Sequence, residues 1–93
     1  MEKIELTLYI IGETPRSKKA VRELKTLCEG KFKDRVALEI IDVLERPDLA
    51  MEERIIATPT LIKKLPAPII RIIGDLSDKE KVLLKLDLVL LGK

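Results

Sequence analysis

Residues 4–44 read as one supersecondary unit, and that unit limits the fold more than anything else in the chain. Ile4, Leu6 and Leu8 alternate with polar residues before Tyr9-Ile10-Ile11 closes the run, the period of a half-buried strand. Gly12 ends it, Thr14 is placed to cap a helix, and Pro15 takes the first helical position, where its missing N–H costs no bond. The helix predicted from Pro15 to about Glu29 gathers Ala20, Val21, Leu24, Leu27 and Cys28 on one face. Lys18, Lys19, Arg22 and Lys25 lie on the other, and Gly30 suits the C-terminal cap. Residues 36–44, Val-Ala-Leu-Glu-Ile-Ile-Asp-Val-Leu, then have the composition of a buried parallel strand. Strand, helix and strand in that order make a right-handed crossover, so the fold class is α/β.

The second half is divided. Pro47-Asp48 can start a short helix running to about Arg54, and residues 60–65 and 69–73 read as two strands around Pro66-Ala67-Pro68. Ser77-Asp78-Lys79-Glu80 is a capping box for a last helix. The segment it opens fits two periods. Leu84, Leu86, Leu88 and Leu90 alternate as a strand would, whereas Val82, Leu83, Leu86, Val89 and Leu90 share one helical face. A sequence satisfying both templates is expected to have two accessible folds in this half.

Composition removes function classes. Ninety-three residues form a single domain, 1–93, with 18 basic and 16 acidic side chains and a net charge of +2. That balance, with Tyr9 and Phe32 as the only aromatics, leaves neither the charge nor the stacking surface for nucleic acid. Nothing approaches the ~20 apolar residues of a membrane helix, and no secretory pattern precedes Ile4, so a cytoplasmic address is expected. One cysteine and no histidine exclude a Cys-x-x-Cys pair, zinc sites and Ser–His or Cys–His catalysis. There is no GxxxxGK loop for nucleotide turnover, so no cofactor, no metal and no catalytic residue is assigned.

The remaining candidates are modest. Thr14 and Ser17 stand at the spacing of a Cys-Pro-x-Cys pair, but hydroxyls cannot exchange disulfides, so they read as a cap and its support. Cys28, on the apolar helix face, reads as buried and inert. Asp42 and Asp87 are carboxylates that nothing in the sequence brings together. Arg54, Lys63, Lys64 and Arg71 read as a scattered, solvated basic set. In Ala57-Thr58-Pro59-Thr60, Pro59 opens a strand just after a short helix. This is the position at which thioredoxin-like folds hold a cis-proline, although a strand-initiating trans proline would read the same.

The order of motifs resembles the KaiB circadian clock family over roughly residues 6–91. The matching pieces are Leu8-Tyr9, Gly12 and Thr14-Pro15, Ile41-Asp42-Val43-Leu44, Ala57-Thr58-Pro59-Thr60-Leu61 and Ile72-Ile73-Gly74-Asp75-Leu76-Ser77-Asp78. The resemblance implies a thioredoxin-like βαβαββα fold without CxxC, with an alternative ground-state fold, βαββααβ, open to residues 45–93. It further implies a non-enzymatic adaptor that binds the ADP-state ring of the hexameric ATPase KaiC and alters recruitment of KaiA and of SasA- or CikA-type kinases. The free protein would be a homotetramer in the ground state or a monomer in the thioredoxin-like state. Carried over by position, the KaiC-facing residues are Glu53, Arg54 and Arg71, and Pro59, Lys85 and Asp87 belong to the fold and its switch. Lys85 stands where the family commonly has glycine, and glycine disfavours a helix by about 1 kcal/mol, so Lys85 is expected to favour the thioredoxin-like state. Two alternatives stay open: a sensory module like the SasA N-terminal domain, or a stress-related KaiB-like protein outside an oscillator.

Overall fold

The computed structural model describes residues 3–29, 34–74 and 81–82. Strand β1 spans Ile4–Ile10, helix α1 Pro15–Cys28, strand β2 Val36–Asp42, helix α2 Pro47–Glu52, strand β3 Thr60–Leu65 and strand β4 Ile70–Ile73. The sheet order is β2-β1-β3-β4, with β1 parallel to β2 and antiparallel to β3, and β4 antiparallel to β3. This is the thioredoxin-like arrangement of the two that the sequence allows. Lys81 and Val82 are helical, and Val82 is buried. Ser77 to Glu80, Lys85, Asp87 and the rest of the doubly periodic stretch beyond Val82 lie outside the described residues.

Strand parity sorts the core into two layers. Ile4, Leu6 and Leu8 of β1 face α1 together with Leu61 and Ile72, and there they meet Ala20, Leu24 and Leu27. Each such large aliphatic side chain contributes about 1.5–3 kcal/mol of burial. On the opposite face Tyr9, Ile41 and Ile62 pack with Val43, Leu49 and Ile55, so α2 and the chain around it cover that side.

Parity also corrects one expectation. Lys63, read with Lys64 as solvated, is only 1% exposed, because it follows Leu61 on the α1-facing side of β3. Alternation fixes the side on which a residue emerges, and a charge cannot change it without shifting the whole strand.

Element ends are set by local hydrogen bonds. Beyond β2, Asp42 Oδ1 accepts from the N–H groups of Gly12 (3.2 Å) and Leu44 (2.9 Å), so Val43 and Leu44 turn rather than continue the strand. Helix α1 is capped at Glu29, whose N–H donates to Lys25 at 3.0 Å, and Gly30, the expected cap residue, lies outside the described residues. Gly74 ends β4 at φ 104, a conformation open essentially to glycine, and its N–H donates to the Pro59 carbonyl at 3.0 Å.

Candidate functional site

Three segments meet at the end of the sheet where a redox relative of this fold would do its chemistry: the β1–α1 turn, the chain leaving α2, and the loop entering β3. In the first, Ser17 is 3% exposed and its hydroxyl donates to the Ile11 carbonyl at 3.1 Å. The same oxygen accepts from the Ile11 N–H at 3.3 Å and from the Thr14 hydroxyl at 3.0 Å. Thr14 in turn caps α1 by accepting from the Ser17 N–H at 3.1 Å. The pair at the dithiol spacing is therefore a saturated hydrogen-bond network, as its reading as cap and support requires. Cys28 lies at the far end of α1, half-buried, with its thiol pushed up to about 11 by burial and then by Glu29. A thiol held protonated there is a poor nucleophile.

The loop entering β3 carries a cis Thr58–Pro59 peptide, and the Leu65–Pro66 and Ala67–Pro68 peptides are also cis. The Thr60 hydroxyl donates to the Ala57 carbonyl at 2.6 Å and closes this loop.

Helix α2 ends in a left-handed residue. Arg54 adopts φ 54, its N–H donates to Met51 at 3.1 Å, and the Ile55 N–H donates to Ala50 at 2.9 Å. These are the two bonds of a Schellman cap, with arginine where glycine is usual. The reversal leaves Ile56 87% exposed, beside Met51 at 79%. Next to them a cleft of about 250 Å³ is lined mainly by apolar side chains, among them Ile11, Val43, Ala50, Ile55 and Ile56.

Glu53, the residue before Arg54, holds two cations: Lys64 Nζ at 3.3 Å and Arg71 at 3.2 Å. It thereby ties the end of α2 to β3 and β4. Tyr9 lies buried in the core layer on this side, its phenol raised above the usual range by burial and then by the Glu53 charge. Of the residues carried over by position, Glu53 and Arg71 form one ion-paired unit, and Arg54 is exposed and makes no ion pair among the described residues. Asp42 serves the β1–α1 and β2–α2 turns, not an acid–base pair. The sequence did not point to the exposed Met51 and Ile56; their only signal was a large apolar residue off the α2 core stripe and another in the loop after it.

A four-stranded α/β domain with a capped hydroxyl pair at the dithiol position defines the class: a thioredoxin-like domain without the redox centre. The chain belongs to the KaiB domain family, whose model matches residues 7–88. That family is a non-enzymatic family of clock proteins. The circadian clock oscillator protein KaiB of Prochlorococcus marinus subsp. pastoris is 57% identical over 84 residues, 90% of this chain and 78% of its own. The same protein of Synechococcus elongatus is 56% identical over 84 residues, 90% of this chain and 82% of its own. Among solved structures, the N-terminal domain of Synechococcus elongatus SasA superposes with a TM-score of 0.76 at 24% identity, covering 100% of this chain and 88% of that domain. Chloroplastic thioredoxin z gives 0.74 at 23% identity, covering 92% and 80%. At these identities the structural likeness speaks for the fold alone.

Proposed function

We propose that this protein is a clock adaptor that docks on the ADP-state ring of a KaiC-like hexameric ATPase and changes which partners the ring recruits. KaiA and SasA- or CikA-type kinases are the partners whose access it alters. The observation that carries the reading is the identity of 56–57% over 90% of the chain to circadian clock oscillator proteins KaiB. The surface supports it. Met51 and Ile56 offer exposed apolar area on the same segment as Glu53, which pairs with Lys64 and Arg71, a combination of apolar anchors and charged groups suited to an interface. Arg54 adds a separate argument, because a bulky side chain kept in a left-handed conformation costs stability that glycine would not. Strain of that kind is retained where the side chain has another task, here contact with the ring.

The mechanism is population shift. The ring selects the thioredoxin-like state over the tetrameric ground state, and its differential affinity supplies the switching energy. Moving a 1:99 population to 99:1 requires a preference of about 10⁴-fold. Lys85, as a better helix former than glycine, reduces that demand. Asp87 belongs to the same switching element, and the whole cycle is cytoplasmic. Among the described residues no helix is long and apolar enough to cross a membrane.

Titrating the fluorescently labelled protein with KaiC hexamer in its ADP and ATP states tests the proposal. Tighter binding to the ADP state, lost at least ten-fold in Ile56→Asp, is expected. Equal affinity for both states, or an Ile56→Asp variant that binds normally, would refute docking through this surface.

A further inference from the structure

A second cleft, of about 450 Å³, opens on the other side of the β1–α1 turn, between α1 and the end of β1. Its floor is apolar, from Ile10 and Val21, and its wall carries Lys18, Arg22 and Lys25. Those three fall at i, i+4 and i+7 of α1, one face of the helix over about 10 Å. None of them forms an ion pair among the described residues. Like charges one turn apart repel, so an anion bound among the three is favourable. Two carboxylates, Glu13 and Glu29, also line the cleft and can accept from the hydroxyl or amino groups of a ligand.

These features select one ligand chemistry. A lone inorganic anion cannot span three cations and also cover an apolar floor. A molecule with two or more linked phosphates, a body to lie on Ile10 and Val21, and hydroxyl or amino donors toward the glutamates does both. The volume lies within the range of about 300–1,000 Å³ usual for small-molecule sites. We propose that this cleft binds an organic polyphosphate of the nucleoside diphosphate class. The proposal is of binding alone.

The site adjoins the docking surface. Gly12 lines this cleft and is held by Asp42, while Ile11, its neighbour, lines the apolar cleft beside α2. A bound polyphosphate therefore contacts the turn that separates the two.

The test is an amide NMR titration of the full chain with ADP, pyrophosphate and inorganic phosphate in parallel, at fixed ionic strength. Saturable shifts with ADP confined to Gly12, Lys18, Val21, Arg22 and Thr26, weakened at least ten-fold in Arg22→Gln and unchanged in Arg71→Gln, would support the site. Because Arg22 is exposed, its variant should fold, and an unchanged far spectrum of Arg22→Gln checks that. Three results would overturn the proposal: no saturation at millimolar ADP, inorganic phosphate acting as well as ADP, or an acidic peptide of glutamates binding more tightly than ADP. The last would reassign the triad to a protein partner.

Discussion

Arg54 occupies the C′ position of α2 at φ 54, and its replacement by glycine separates stability from binding. A left-handed L-residue carries a penalty of roughly 1–2 kcal/mol. Glycine removes that penalty but gives the unfolded chain extra freedom, worth about 0.5–1 kcal/mol. The net expectation for Arg54→Gly is therefore a gain of about 0.5–1 kcal/mol, or roughly 2–8 °C in Tm for a domain of this size. Arg54→Ala keeps the Cβ and hence the strain, so it should stay within about 0.5 kcal/mol of the parent. Both variants retain the cap bonds from Arg54 to Met51 and from Ile55 to Ala50, which are made by the backbone. Urea melts of the three proteins, followed by circular dichroism, supply the stabilities, and titration with the ADP-state ring supplies the affinities. Glycine should stabilise while both variants bind more weakly. A glycine variant no more stable than the alanine one would show that residue 54 is not strained, and the argument for its retained role would fall with it.

Removing the Ser17 hydroxyl should be costly despite its small size. Ser17→Ala deletes three hydrogen bonds and strands the Ile11 N–H and carbonyl, so a loss of about 2–3 kcal/mol in a urea melt is expected; a loss below about 0.5 kcal/mol would mean that water replaces them. In a Cys28→Ser background, Thr14→Cys with Ser17→Cys should oxidise to a disulfide, since the two hydroxyl oxygens are already 3.0 Å apart. Intact-mass analysis reads this as the loss of two hydrogens, and persistent free thiols would contradict the geometry. Cys28 should label slowly in the folded protein at pH 8. A thiol near 11 has about 200-fold less thiolate than a free cysteine near 8.5, offset roughly ten-fold by its greater nucleophilicity. Because the folded value is the higher one, its stabilisation is complete below about 8.5 and is lost as pH rises toward about 11. Cys28→Ala should flatten that part of the alkaline stability curve. Glu53→Gln should cost less than about 1 kcal/mol of stability, since both its ion pairs are partly solvated, while weakening ring binding through the freed Arg71.

The β1–α1–β2 unit was legible because its signals are local: alternation in Ile4, Leu6 and Leu8, and a Thr14-Pro15 start followed by a 3.6-residue stripe. The strands β3 and β4 were also found, within one residue at Ile70, since Pro59 and the Pro66–Pro68 segment punctuate them. What escaped depends on contacts across the sheet. Lys63 is buried by parity, whereas residue type argued for solvent. Glu53 reaches Lys64 and Arg71, 11 and 18 residues away, and no local pattern encodes such a pairing. The exposure of Ile56 follows from the left-handed turn at Arg54, and arginine gives no advance sign of that conformation. Asp42, considered as a possible acid, turned out to organise two turns through a single oxygen.

The central claim, that the protein is an adaptor for an ATPase ring, is tested most directly by native mass spectrometry of this protein mixed with ADP-loaded KaiC hexamer over several hours. The account predicts a ring that gains up to six copies. Slow growth would show that a fold change limits binding, and saturation within the mixing time would show that the thioredoxin-like state already prevails, as Lys85 favours. A hexamer that stays bare throughout would contradict it.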